Sequence, residues 1–238
     1  MTDTVTNNNL FSVIDQQKDF IVIYKSPGIG FHREENEPGL FDEVVQTLDV
    51  GKLYPVHRLD KITSGLILMA KSSESASALG NLFLEKRIEK HYIALSDNKP
   101  SKKQGLIKGD MTKARRGAWK LLRSLENPAI TQFKSFGTNT GIRVFLIKPS
   151  TGKTHQIRVA LKSVGAPIIG DSLYGGSQNQ EIDRTYLHAF SLHFRYGHQD
   201  YSYIAPPKHG RLFQEPEVQK IIETRLTPPW GIDFPKLN

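Results

Sequence analysis

The 238-residue sequence predicts an α+β fold, in which a mixed and largely antiparallel sheet is flanked by helices and loops. The first observation is a pair of β-rich runs, residues 130–136 and 142–148, separated only by the segment GTNTG. Such a pair indicates a β-hairpin. The second observation is that apolar residues recur at helical spacing in segments between the strand-like runs. Because no repeat or clear boundary interrupts residues 15–210, we expect one folded domain.

The first part of the chain predicts two strands and a helix after a disordered tail. Residues 1–12 are polar, and we expect them to form that tail. The run FIVIY at residues 20–24 ends at a Pro-Gly turn and predicts a strand. Residues 39–53 carry apolar side chains at i, i+3, i+4 and i+7, the spacing of an amphipathic helix. The apolar run LILMA at residues 66–70 predicts a buried strand.

The remainder of the chain continues this alternation. Ser72 or Ser73 is expected to cap a helix directly after the buried run. Residues 92–95 return as a strand, and residues 150–164 predict a turn followed by a helix. The proline-rich end falls within residues 211–238, which we expect to be an extension that packs on the domain or trails from it.

Composition and charge favour a protein that binds a polyanion. The chain has 32 Lys and Arg residues against 24 Asp and Glu residues, a net charge of +8, which favours partners such as nucleic acid. Cysteine is absent, which excludes disulfides, a thiolate nucleophile and cysteine-ligated metal. No apolar run approaches the roughly 20 residues of a membrane-spanning helix, and no secretory signal is recognisable. We therefore expect a cytoplasmic protein without a membrane partner.

The densest basic segment covers residues 99–123. Two interpretations stay open for it. One is a solvated hairpin or loop. The other is a surface that follows a phosphate backbone, where Arg115 and Arg116 bind phosphates and Trp119 offers a ring for base stacking.

Familiar nucleotide and metal motifs are incomplete in this chain. The segment GIG at residues 28–30 begins like a dinucleotide-binding loop, but Arg33 stands at the third glycine position. The segment TGKT at residues 151–154 looks like the end of a P-loop, but Ile147 stands at its first glycine position. The 8 histidines show no metal-ligand spacing, and no G-x-S-x-G elbow is present. We therefore expect neither a cofactor nor a metal.

One loop carries a more specific pattern. The segment HRLD at residues 57–60 is followed by the small polar turn TSG and then by the buried run. By itself this order is also compatible with a surface ion pair beside a turn. Together with Ala70-Lys71, however, the segment resembles the catalytic motif of the RluA-type pseudouridine synthases, in the stand-alone form without an S4 domain.

Further motifs of that family lie before and after this loop, in the order typical of the family, between residues 25 and 190. The segment KSPG at residues 25–28 resembles the first motif, and KHYIA at residues 90–94 resembles the segment with the active-site tyrosine. TGKTHQIRV at residues 151–159 resembles the motif Gly-Arg-Thr-His-Gln-Leu-Arg-Val, with Lys153 in place of the arginine. GDSLYG then resembles the motif Gly-Asp-x-x-Tyr-Gly.

The resemblance implies a single pseudouridine-synthase-type catalytic domain over residues 13–210, which isomerises specific uridines of ribosomal or transfer RNA without a cofactor. Asp60 would be the catalytic carboxylate and would act on a flipped-out base. It would attack the sugar or the base, or remove a proton from C2′, and these alternatives stay open. Arg158 would pair with Asp60 and keep it ionised. Tyr92 would stack on the base and assist proton transfer at C5.

The expected partner is a structured RNA, a stem-loop of ribosomal or transfer RNA, bound by a monomer. Arg58 would fill the gap left by the flipped base or hold the neighbouring phosphate. The full set of expected RNA contacts is Arg58, His57, Lys153, Thr154, His155, Gln156, Arg115 and Arg116. For His57, His155 and Gln156, hydrogen bonding within the protein is an equal alternative to RNA contact.

Two other functions remain to be separated from this one. An RNA-binding protein without catalysis would have no need of Asp60, Tyr92 and Arg158 together. An unrelated hydrolase using Asp60 and His57 would release free base or phosphate. Because isomerisation releases neither, the mass of the product distinguishes the two reactions.

Overall fold

The computed structural model describes residues 10–32, 39–176 and 182–236, which form strands, α-helices and three single 3₁₀ turns. The first elements in chain order are β1 Phe11–Gln16, β2 Phe20–Lys25, α1 Leu40–Leu48, β3 Tyr54–Pro55, β4 Ser64–Ala70 and α2 Ser73–Leu84. The next are β5 Glu89–Ser96, β6 Gln104–Gly109, β7 Met111–Lys113, β8 Trp119–Leu121, β9 Ala129–Gly137, β10 Arg143–Pro149 and α3 Gln156–Ser163. The last are β11 Leu187–Tyr196, β12 Gln199–Ile204 and α4 Pro216–Arg225.

The chain divides into two compact units. The first contains the described residues up to Ile88 and the segment Ala189–Pro207. The second contains Glu89–His188 and the described residues from Lys208 onward. Within the described part of the chain, no helix is long and apolar enough to cross a membrane.

The first unit is built around β4, the most apolar strand. All of its residues are buried, and β2 pairs with it in antiparallel register, with Ile23 opposite Ile67. β1 pairs with the other edge of β2, and β3 pairs with the far end of β4. A strand buried on both faces reads as a continuous apolar run, because it has no solvent-facing positions. The prediction of a buried strand at residues 66–70 is confirmed.

Gly65 allows β4 to pass close to β11. Its φ is +113°, and a Cβ atom at this position would lie 2.1 Å from the carbonyl oxygen of Ala189. Only glycine fits both the backbone angle and the space. After β4, Ser72 caps α2 through a capping box with Ser75, which confirms the predicted helix start.

The second unit contains the strand order β5-β10-β9-β6, in which each neighbouring pair is antiparallel. β9 and β10 form the hairpin predicted from their sequence. β7 and β8 form a separate two-stranded ribbon, which we call the basic hairpin, residues 111–121. The hairpin interpretation of the basic segment 99–123 is therefore confirmed for residues 111–121, whereas Gln104–Gly109 form β6 of the larger sheet. A role of the segment as a phosphate-binding surface stays a prediction.

The C-terminal residues pack on β5, β9 and β10. The Phe234 ring stacks on His91 of β5 at a centroid distance of 5.8 Å, and the Gln132 side-chain amide donates to the Pro235 carbonyl at 2.5 Å. The Arg225 guanidinium lies 5.1 Å from the centre of the Phe136 ring. Burial, reinforced by the nearby Lys148 charge, lowers the pKa of His91 to about 3. The imidazole under this segment is therefore neutral near pH 7.

The α+β class and the largely antiparallel strand pairing agree with the prediction, whereas two element limits require correction. The helix expected over residues 39–53 ends at Leu48, because Asp49 turns into the left-handed region at φ 47°. The tail expected over residues 1–12 is too long, because Phe11 is buried and begins β1. The rest of that tail, residues 1–9, lies outside the described residues. The domain limits 13–210 and 211–238 stay predictions.

Candidate functional site

The HRLD loop lies between β3 and β4 and presents two charged side chains. Arg58 is exposed and Asp60 is half-buried. The Thr63 amide donates to the Asp60 carbonyl at 3.0 Å, which closes a four-residue turn directly before β4. Asp60 therefore occupies the first position of a turn whose end continues into a fully buried strand.

Lys25 stabilises this turn from the buried side. Its side chain is fully buried, and its ammonium group donates to the carbonyls of Ser26 at 2.9 Å, Lys61 at 3.0 Å and Thr63 at 2.7 Å. An ammonium has three donors, and here each has an acceptor. The Gly28 amide also donates to the Lys61 carbonyl at 2.9 Å. Hydrogen bonds from both the side chain and the backbone of the KSPG segment thus secure the turn that carries Asp60.

His57 fixes the other side of the loop. Its Nε2 atom accepts a hydrogen bond from the Leu68 amide of β4 at 3.0 Å, so this nitrogen carries no proton. The imidazole also packs on the Phe83 ring of α2 at a centroid distance of 4.7 Å. These contacts favour the internal hydrogen-bonding role that the sequence left open for His57.

Tyr92 lies on β5 in the second unit, opposite Ile147 of β10, and is half-buried. Because side chains alternate along a strand, Lys90 shares the face of Tyr92 whereas His91 points to the opposite face. Burial lowers the pKa of Lys90 to about 8. A Cβ atom at Gly152 would lie 3.7 Å from the Lys90 ammonium nitrogen, so the turn before α3 runs beside this face of β5.

Arg158 projects from α3 into a buried ion pair. Its Nε and Nη2 atoms donate to the two carboxylate oxygens of Asp171, at 2.7 and 2.9 Å. Asp171 is 1% exposed and also accepts from the amides of Leu173 and Tyr174, at 3.2 and 3.3 Å. Two parallel charge-assisted bonds fix the plane of the guanidinium. The predicted pairing of Arg158 with Asp60 stays a prediction.

The start of α3 carries the other predicted contacts of the TGKTHQIRV motif. Gln156 is buried, and its side-chain amide bonds to Thr151, Ile130, Thr131 and the Lys153 amide at 2.7 to 3.0 Å. These bonds favour an internal role for Gln156. Lys153 donates to the Asn127 side chain at 2.8 Å, and Thr154 is exposed.

His155 precedes α3 in the left-handed conformation, with φ 56°. Its Nδ1 atom shares a hydrogen bond with the hydroxyl of Tyr174 at 2.9 Å, and the two rings meet edge to face. A positive φ at a residue other than glycine is uncommon and is held here by surrounding contacts. His155 is half-buried and lies at the N-terminal end of the helix that carries Arg158.

The basic hairpin places its charges in solvent. Arg115 and Arg116 occupy the turn between β7 and β8 and are exposed, and Arg116 is left-handed at φ 56°. At the other end of the hairpin, the Asp110 carboxylate accepts from the amides of Glu126 and Asn127, at 3.0 and 2.8 Å. The hairpin therefore has an anchored base and an exposed cationic tip.

The predicted site residues are divided between the two units. The first unit holds His57, Arg58 and Asp60 on one loop. The second unit holds Tyr92 on β5 and the remaining candidates on the basic hairpin, α3 and the turn before it. Over residues 10–32, 39–176 and 182–236, no cluster of His, Asp and Glu side chains could hold a metal ion. Three residues with evident structural roles were not predicted as site residues, although each lies in a quoted motif: Lys25, Asp171 and Tyr174.

Comparison with known proteins identifies the family. The family model described as RNA pseudouridylate synthase matches residues 19–163. A protein of Haemophilus influenzae described as an uncharacterised RNA pseudouridine synthase is 50% identical over 92% of this chain and 97% of its own length. Ribosomal large subunit pseudouridine synthase C of Rickettsia bellii is 39% identical over 58% of this chain and 47% of its own length. This chain therefore matches about half of that longer relative.

Solved structures are similar as well. Human RNA pseudouridylate synthase domain containing 1 superposes with a TM-score of 0.70 at 25% identity, covering 83% of each chain. Human RNA pseudouridylate synthase domain containing 4 gives a TM-score of 0.69 at 22% identity, covering 84% of this chain and 89% of that one. The second likeness shows the fold alone.

Proposed function

The chain belongs to the RluA-type family of RNA pseudouridine synthases, which are isomerases, and we propose that it converts specific uridines of ribosomal or transfer RNA with Asp60 as the catalytic carboxylate. The name of the Rickettsia bellii relative favours ribosomal RNA. One observation carries the assignment of Asp60. Its turn is held by the three hydrogen bonds of buried Lys25 and by the continuation into β4.

The proposed reaction needs a carboxylate that keeps its position while the base moves. The target uridine is flipped out of the RNA, at a cost of a few kcal/mol, and its N1–C1′ bond is broken. The uracil then rotates, C5 bonds to C1′, the proton on C5 is removed, and N1 gains a proton. Asp60 acts by attacking the sugar or the base, or by removing a proton from C2′. A rigid turn supports each of these routes, because all of them require a fixed distance to the reacting atom.

Arg158 and Tyr92 complete the proposed chemistry. Arg158 is the cation that pairs with Asp60 in this proposal. The bidentate bonds to Asp171 support this role, because they fix the position and the plane of the guanidinium. Tyr92 stacks on the base and assists the proton transfer at C5, and its half-buried ring on β5 is compatible with such stacking.

RNA affinity in this proposal comes from cationic side chains. Arg115 and Arg116 at the tip of the basic hairpin, together with Lys153, contact the phosphate backbone, which makes binding dependent on salt. Arg58 fills the gap left by the flipped base or holds the adjacent phosphate. Thr154 and His155 are further contacts close to the turn before α3.

The experiment that tests the proposal maps pseudouridines in cells. Ribosomal and transfer RNA from a gene-deletion strain are labelled with carbodiimide and read by primer extension, then compared after complementation. A site that is lost on deletion and restored by wild type, but not by Asp60→Asn, supports the reaction and the role of Asp60. Asp200→Asn alters an exposed carboxylate in the same unit and should restore the pseudouridine as wild type does. Restoration by Asp60→Asn would refute the catalytic assignment.

A further inference from the structure

Tyr174 connects the basic hairpin to the helix that carries Arg158. Its side chain is 3% exposed, and its hydroxyl accepts a hydrogen bond from the Trp119 amide at 2.8 Å. Trp119 is the first residue of β8, the returning strand of the basic hairpin. The same hydroxyl bonds to Nδ1 of His155, the residue before α3, at 2.9 Å.

The ring and the backbone of Tyr174 contact the buried ion pair. The Arg158 guanidinium lies over the ring at 4.9 Å from its centre, within the range of a cation–π interaction. The Tyr174 amide donates to the Asp171 carboxylate at 3.3 Å. One buried residue thus touches the hairpin through its hydroxyl and both members of the ion pair through its ring and amide.

The basic hairpin depends on such contacts for its position. Its two strands have three residues each and pair only with one another among the described strands. A two-stranded ribbon of this length is marginally stable by itself. β8 packs beside α3, and the hydrogen bond from Trp119 to Tyr174 adds a directional constraint to that packing.

We propose that Tyr174 is a positioning residue whose hydroxyl holds the basic hairpin in fixed register with Arg158. Phosphates bound by Arg115 and Arg116 are then presented at a set distance from the guanidinium. The ligand is an RNA backbone, and the inference rests on the proposed RNA contacts of the hairpin. Tyr174 does not touch the reacting atoms in this account. It acts through the hairpin and Arg158.

A double-mutant cycle tests this role. Tyr174→Phe removes the hydroxyl and keeps the ring under Arg158. The partner change is the hairpin variant, Arg115→Ala with Arg116→Ala. Filter binding measures the Kd for an in vitro transcribed bacterial large-subunit ribosomal RNA at one salt concentration. We expect Tyr174→Phe to weaken binding about fivefold, the effect of one neutral hydrogen bond, and to have no further effect in the hairpin variant.

Tyr186→Phe is the matched control. Tyr186 is also buried in the second unit, and its hydroxyl likewise accepts a backbone amide, that of Leu212 at 3.0 Å. It has no bond to the basic hairpin among the described contacts, so RNA affinity should be unchanged. Hydrogen exchange gives a second measurement, in which Tyr174→Phe should speed exchange of the Trp119 amide and Tyr186→Phe should not.

Each outcome decides the inference. If Tyr174→Phe weakens RNA binding equally in wild type and in the hairpin variant, the hydroxyl acts independently of the hairpin charges. This result would leave the proposed function intact and would overturn the role of Tyr174. Unchanged affinity or unchanged Trp119 exchange in Tyr174→Phe would also overturn it. If the hairpin variant binds as tightly as wild type, the proposed RNA contacts of Arg115 and Arg116 fail, and the inference fails with them.

Discussion

Arg158 and Asp171 form a bidentate ion pair, with Nε to Oδ2 at 2.7 Å and Nη2 to Oδ1 at 2.9 Å, and neither side chain is more than 8% exposed. Both ions are largely removed from water, so the loss of one partner leaves the other without compensation. The two residues are separated by 13 positions in the sequence. The helix α3 and the GDSLYG turn are therefore held together by the pair.

Asp171→Asn should be strongly destabilising. The change keeps the size of the side chain but leaves the buried Arg158 charge without its partner, at an expected cost of about 3 to 5 kcal/mol in the free energy of unfolding. Urea denaturation at pH 7 measures this cost. Asp97→Asn, which alters an exposed carboxylate in the same unit, should change it by less than about 0.5 kcal/mol. Equal stability of the two variants would contradict the account of the pair.

Lys25→Met should loosen the turn that carries Asp60. The carbonyls of Ser26 and Thr63 lose a buried donor, whereas the Lys61 carbonyl keeps the hydrogen bond from the Gly28 amide. Each unsatisfied buried acceptor costs about 1 to 3 kcal/mol before relaxation, so we expect at least about 2 kcal/mol of lost stability and faster exchange of the Thr63 amide. Lys102→Met, at an exposed position, is the matched control. A variant with normal Thr63 exchange would show that Lys25 does not hold the turn.

Gly65→Ala should prevent normal folding of the first unit. The added Cβ atom would meet the Ala189 carbonyl at 2.1 Å, a distance that requires the strand backbones to move apart. Gly141→Ala is the control, because Gly141 also has a positive φ, +86°, but has nothing within 4 Å of the added atom. The control should lose about 1 to 2 kcal/mol from the backbone angle alone. Thermal unfolding of both variants separates the steric cost from the conformational cost.

His91→Phe should reduce the sensitivity of stability to acid. Burial lowers the pKa of His91 from its ordinary value of 6.5 to about 3, so folding favours the neutral imidazole. The stabilisation is fully present above pH 6.5 and is lost as the pH falls toward 3, because the unfolded chain binds the proton first. Phenylalanine keeps the stacking on Phe234 and does not titrate. The urea midpoint of wild type should therefore fall more between about pH 7 and pH 4.5 than that of the variant, and an equal fall would refute this role.

Local patterns in the sequence predict some elements well. The hairpin of β9 and β10 is signalled by two apolar runs and a turn between them, all within residues 129–149. The buried strand β4 is equally evident, because both of its faces are apolar. These elements were predictable because the apolar residues that stabilise them are close together in the sequence and form a recognisable pattern.

Other elements lack a clear apolar pattern in the sequence. β11 contains Ser191 and His188, both buried, which interrupt the apolar pattern of a strand. β1 contains only one fully buried apolar side chain, Phe11, at the edge of a polar segment. α4 carries a short stripe of Val218, Ile221 and Ile222 that the adjoining proline-rich end concealed.

The candidate site shows the same limit. The residue types of Asp60, Tyr92 and Arg158 stand out through their motifs, whereas the burial of Lys25 does not. A lysine is expected at the surface. The acceptors at Lys61 and Thr63 lie 36 and 38 residues away in sequence, so no local pattern reports the contact. Gln156 at the start of α3 is a similar case, because its partners Ile130 and Thr131 lie on β9, about 25 residues earlier in the sequence.

The most direct measurement of the central proposal is tritium release from RNA labelled at C5 of uridine. Ribosomal RNA transcripts, prepared with [5-³H]uridine, are incubated with purified wild type or Asp60→Asn at saturating protein. Wild type should release tritium while the length of the RNA stays unchanged and no free base or phosphate appears, because isomerisation removes the C5 proton, adds a proton at N1 and leaves every other atom in the nucleotide. The variant should retain binding and lose at least about 10³-fold in rate. Tritium release by Asp60→Asn at a rate comparable to wild type would contradict the assignment of Asp60 as the catalytic carboxylate.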